Sequence, residues 1–150
     1  MKKRNEVRLY NVLFPFWMLM LFPQIWLIVL PGNFLIDSLV LIIAMRVMKM
    51  EQRKVFYKEH ILPVFGCGLL ADGIGSVYML VMAFVFELGV MGDEPYITVP
   101  ALLISAAMIF ILNYFWTFRR LDKPLRWRLA LTFAIVTAPY TFLVPSSWLY

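Results

Sequence analysis

All 14 Lys and Arg residues fall in three short stretches of this 150-residue chain, and long apolar runs separate the stretches. Lys2, Lys3, Arg4 and Arg8 form the first. Arg46, Lys49, Arg53, Lys54 and Lys58 form the second, and Arg119, Arg120, Lys123, Arg126 and Arg128 the third. Clustering of this kind has a physical origin. Short loops rich in Lys and Arg stay on the cytoplasmic side of a bilayer, and the apolar runs between them cross it. Composition agrees. Hydrophobic residues make up 63% and charged residues 15%, against about 45–50% and about 25% in soluble domains. A soluble domain of this size cannot cover so much apolar surface with so few charged groups. An ordinary soluble fold, a disordered chain and a disulfide scaffold are excluded. The net charge of +5 orients the chain in a membrane and does not imply a nucleic-acid partner.

Five apolar segments follow, at about 9–30, 33–48, 61–88, 97–118 and 127–144. A spanning helix needs about 20 apolar residues. The first, third and fourth segments meet this easily and the fifth just does. The second is short, and its helix can run on toward Arg53 with its basic residues snorkelling. Pro31-Gly32-Asn33 reads as a turn that makes the first two segments a helical hairpin. Pro63 and Pro100 fall near expected helix starts, while Pro15, Pro23 and Pro139 predict kinks inside spans. The expected fold is all-α: a single transmembrane domain over residues 1–150, a bundle of five helices in the cell membrane. The N-terminus is expected inside and the C-terminus outside. The first segment lacks a small-residue cleavage site, so it reads as an uncleaved span rather than a signal peptide.

Two carboxylates lie well inside expected spans, Asp37 and Asp72, while Glu87 sits at the end of the third. An ionisable group near the bilayer centre costs at least about 2.5–3.5 kcal/mol on insertion scales, so it marks a candidate site. Asp72 sits about 11 residues into its segment, roughly 16 Å deep and close to the midplane. Asp37 is expected to be shallower, where it can instead complement the N-terminal end of the second helix. In the run GCGLLADGIGS, Gly68, Asp72 and Ser76 recur at i, i+4 and i+8 and share one helical face. Ala71 and Gly75 form a small-x-x-x-small pair beside it, and together with Gly68 they are expected to let a neighbouring helix pack closely. Asn33 and Asp37 share a face of the second segment, and the two polar faces are expected to meet. Arg46 and Arg128 lie only at segment ends, and no Lys, Arg or His lies deep inside a segment to pair with either aspartate. The carboxylates can be protonated and hydrogen-bonded, bind a cation, or line a water-filled cavity.

Other polar residues read as glue. Asn113 is expected to hydrogen-bond between helices, and Thr132, Thr137 and Thr141 to bond back to carbonyls of their own helix. One Cys and one His leave no disulfide, metal centre or catalytic triad to build, and no cofactor is expected. The glycine run lacks the Lys-Ser/Thr ending of a phosphate loop, and no hydrolase or metalloprotease motif occurs, so an enzyme is not expected. Two classes remain. One is a transporter or channel component with Asp72 and Asp37, aided by Ser76 and Asn33, as a proton or cation site. The other is a non-catalytic membrane subunit whose glycine face and basic loops dock a larger protein. The first implies a homo-oligomer and the second a larger membrane partner.

Overall fold

The computed structural model describes residues 23–85 and 95–144. These form helices and no strand. Helix α1 covers Pro23–Val47 and α2 covers Arg53–Val85. Helix α3 covers Pro95–Leu112 and continues through a π turn at Asn113–Thr117. Helix α4 covers Lys123–Val136, and a 3-10 turn follows at Tyr140–Leu143. Three stretches are long and apolar enough to cross a membrane: Trp26–Val47, Arg53–Met82 and Pro95–Thr117, with mean hydropathies of 2.2, 1.7 and 2.1. Among the described residues the chain is therefore all-helical, with three candidate membrane-spanning helices. The expected span residues 9–22 and 86–88, the acidic loop 89–94 and the kink at Pro15 lie outside the described residues.

The segment boundaries differ from expectation at both ends. Pro31 lies inside the 25-residue helix α1, so the hairpin at Pro31-Gly32-Asn33 does not form. Proline removes one backbone donor. A turn among apolar residues would instead expose several unpaired backbone groups to lipid, which costs more. Pro23 is the first described residue of α1, so the kink expected there depends on residues outside the described ones. Pro63 and Pro100 lie inside α2 and α3, because α2 begins upstream at Arg53 and α3 at Pro95. The fifth segment is not one continuous helix. Helix α4 has 14 residues, about 21 Å, against a hydrocarbon core of about 30 Å. It begins with Pro124 in its first turn, as a missing donor there costs nothing, and Pro139 ends rather than kinks it. Likewise α1 stops at Val47, short of Arg53, and Lys49 takes a positive φ of 52° in the connecting turn.

Packing brings the two described basic loops to one end. Phe56 and His60 of α2 stack with centroids 4.0 Å apart, and His60 lies 5.7 Å from Phe118, just after the π turn. His60 Nδ1 donates to the Phe56 carbonyl at 2.9 Å. Leu41, Val64, Ala71, Ile109, Leu129 and Phe133 continue this core along the bundle. A second cluster, Met79, Ile97, Ala101 and Phe142, closes the other end. Leu27, Ile43, Leu62, Leu70, Val81 and Leu103 are exposed, a distribution suited to lipid as the surrounding solvent.

Candidate functional site

Helix α2 meets its neighbours through two different faces. Ala71 is fully buried against α3, where Ser105 Oγ donates to the Ala71 carbonyl at 3.1 Å. Gly75 lies one turn on. A Cβ there would collide with Ser105 Oγ and stand 2.7 Å from Phe142 Cε2. Only glycine permits this approach. The other face, with Gly68 and Asp72, looks toward α1. A Cβ on Gly68 would meet Asp37 Oδ2 at 3.6 Å, an ordinary contact. The small residue here makes room for a carboxylate.

That room is a cavity of about 360 Å³. Asp37 and Asn33 reach it from α1, Gly68 and Asp72 from α2, and Thr137 through Thr141 from the segment after α4. Asp37 is 5% exposed. It stands near the middle of the 25-residue α1, so it is not the shallow helix-capping residue that the sequence suggests. With α1 unbroken, no helix N-terminus lies nearby for it to cap. Both carboxylates are thus central in their helices and line the same cavity. Asp72 Oδ1 is buried and has no hydrogen-bond partner among the described residues. Ser76 is buried and lines a smaller adjoining cavity of about 170 Å³, which shares Asp72 and Asn33 with the larger one. The structure therefore gathers Asp37, Asp72 and Asn33 at one cavity and puts Ser76 at its neighbour. Gly68 borders the first cavity, while Ala71 and Gly75 face α3.

The third wall is non-helical, and the sequence did not reveal it. Helix α4 ends at Val136, and Thr137 Oγ1 donates to the Phe133 carbonyl at 2.8 Å. The Tyr140 hydroxyl donates to the Ile135 carbonyl. The chain then tightens into the 3-10 turn that carries Phe142 onto Gly75. Irregular backbone at membrane depth is tolerated where protein buries it or where it lines a water-filled cavity. A helix C-terminus presents unpaired carbonyls and the negative end of its dipole, which favours a cation. The signal available in the sequence was Thr137-Ala138-Pro139 near the end of a run that is barely long enough to cross.

The remaining polar residues sort themselves by contact. Ser38 shares a 2.8 Å hydrogen bond with Tyr57 and ties α1 to α2. Cys67 is buried, 3.5 Å from Thr117 Oγ1. Thr132 bonds back to Arg128 at 2.8 Å, as expected, whereas Thr141 lines the cavity. Asn113 does not bridge helices. Its Nδ2 donates to the Ile109 carbonyl of its own helix at 2.9 Å, where α geometry gives way to π, and its Oδ1 is unpartnered among the described residues. Comparison with protein-family models, with characterised proteins and with solved structures finds no significant match to the chain.

Proposed function

We propose that this is a small transporter or channel component in which Asp72 and Asp37 form a proton or cation site, aided by Asn33 and Ser76. One observation carries the reading: two carboxylates from different helices line one cavity beside the C-terminal end of a broken helix. Among the residues lining that cavity there is no Lys, Arg or His to neutralise them. Two acidic side chains and the Asn33 amide supply the polar groups of an otherwise largely apolar lining. Discontinuous helices in membrane transporters use backbone carbonyls and helix ends to hold Na⁺ or H⁺. The described bundle is narrow, so we place its action in a homo-oligomer of the cell membrane, without enzymatic chemistry. The basic loops are assigned to the cytoplasmic side. A reporter active only in the cytosol should work when fused after Gln52 or Pro124 and be silent after Tyr150.

The test is ion flux into proteoliposomes that carry the purified chain. Asp72→Asn keeps the volume of the side chain and removes the ionisable group. It should insert and unfold like the parent and lose flux. A well-folded Asp72→Asn protein with undiminished flux would remove the site from Asp72. A second reading, the non-catalytic subunit, draws on the first two turns of α2. Arg53 through His60 are helical and mostly exposed, so they can present a basic contact to a larger membrane protein. Co-purification of a stoichiometric partner in mild detergent, with no flux from the chain alone, would favour it.

A further inference from the structure

A groove of about 380 Å³ lies at the basic end, between the last turns of α1 and the first turns of α2. Arg46, Arg53, Lys54 and Lys58 line it, and no Asp or Glu does. Ile42 and Met45 supply an apolar side, and Met45 is buried in the core. Tyr57 contributes its ring to the groove while its hydroxyl is held by Ser38, so the two helices are pinned together beside it. Arg53 Nε donates to the Met50 carbonyl at 3.0 Å, which tethers its guanidinium beside the groove.

The placement of these cations is unfavourable for the helix alone. Arg53 and Lys54 open α2, and its first turn contains no acidic residue. A helix N-terminus carries partial positive charge, and cations there repel it. Four positive side chains in one groove also repel one another. An anion in the groove relieves both repulsions and meets the α2 N-terminus with favourable sign. The apolar side continues onto the exposed α1 surface at Ile43 and Leu39. Charged head above, apolar track below, at the end of two candidate spans: these are the two parts of a phospholipid.

We propose that this groove binds the phosphate of an anionic phospholipid headgroup, with an acyl chain lying along α1. The cations of such sites act on phosphate by charge and hydrogen bonding. The site is independent of Asp72 and Asp37. The experiment uses the full chain in mild detergent, with native mass spectrometry and thermal unfolding. Phosphatidylglycerol, phosphatidylcholine and inorganic phosphate are added separately. Phosphatidylglycerol should be retained as a discrete adduct and raise the unfolding temperature, and phosphatidylcholine should do neither at equal concentration. The double variant Arg46→Gln/Lys58→Gln should bind phosphatidylglycerol about 10- to 30-fold more weakly, since each interfacial cation contributes roughly 1 kcal/mol. The single variant Lys58→Gln should fall between, so the series reads out even if the double variant is less stable. Arg119→Gln/Arg120→Gln, in a separate groove that includes Glu59, should bind like the parent. Equal loss from both double variants would mean diffuse surface attraction and overturn the site. Unchanged binding by Arg46→Gln/Lys58→Gln would overturn it too. Stabilisation by inorganic phosphate as large as that by phosphatidylglycerol would overturn the lipid as its ligand.

Discussion

Helix α2 uses the same kind of residue for opposite purposes on two adjoining faces. On the Ala71–Gly75 face, the missing side chain lets Ser105 and Phe142 press against backbone. On the Gly68–Asp72 face, it leaves space that two carboxylates and a broken helix share. A small-residue stripe thus does not by itself say whether helices touch or stand apart. What decides is the neighbour: an aromatic ring and a hydroxyl on one side, an aspartate on the other. The consequence is a helix sealed along one edge and open along the next.

The largest expected effect comes from blocking the sealed edge. Gly75→Leu should abolish recovery of folded protein, because the position of its Cβ is already occupied by Ser105 and Phe142. Even Gly75→Ala should cost about 1–3 kcal/mol by overpacking, measured as a drop in unfolding temperature in detergent. Gly68→Leu is the contrasting substitution. It should fold, because its Cβ meets Asp37 only at ordinary contact distance, yet it should fill the cavity and stop flux. If Gly68→Leu and Gly75→Leu destabilise equally, the two faces are not different.

Smaller changes sharpen the comparison. Ser105→Ala removes the 3.1 Å hydrogen bond across the sealed face and should lower stability by about 0.5–1.5 kcal/mol with flux retained. Gly73→Ala is the smallest. Nothing lies within 4 Å of a Cβ there, so its stability should stay within about 0.5 kcal/mol of the parent. A large loss from Gly73→Ala would show that a third face of α2 is in close contact in the assembled protein.

Much of this geometry was legible from spacing. The i, i+4 recurrence of Gly68 and Asp72, and the same spacing of Asn33 and Asp37, placed the two aspartates on faces that meet, since helical period alone fixes which residues share a side. Depth was misread because Pro31-Gly32 has the composition of a turn. Propensity favours a break there, but lipid leaves the freed backbone groups without partners, and that larger cost keeps the helix whole. Pro139 was misread in the opposite direction. Whether a proline bends or ends a helix depends on what receives the freed carbonyls and where the chain goes next. Thr137 and Tyr140 supply donors to Phe133 and Ile135, and Phe142 finds its place on Gly75, far away in sequence. No local pattern carries that last contact. Asn113 was misread as a bridge between helices because a buried amide near a helix end commonly serves as one. The Ile109 carbonyl, one turn back on its own helix, gave it a nearer acceptor.

That π turn has a consequence for the angular register of the chain. Its defining bond runs from the Phe118 amide to the Asn113 carbonyl at 2.8 Å, so the ring holds one residue more than an α turn. One residue corresponds to about 100° of rotation. Every side chain downstream is therefore turned by nearly a third of a revolution relative to an uninterrupted helix. The buried Phe118 ring, seated against Phe56 and His60, owes its heading to that wider turn. Deleting Phe115, an exposed residue within the turn, would restore plain α geometry and keep Phe118 at its present heading, because its amide would then meet Asn113 as an ordinary α-helical donor. The hydrogen-bond ladder would become more regular and the aromatic clasp at the basic end would hold, whereas straightening the turn with every residue kept would undo it.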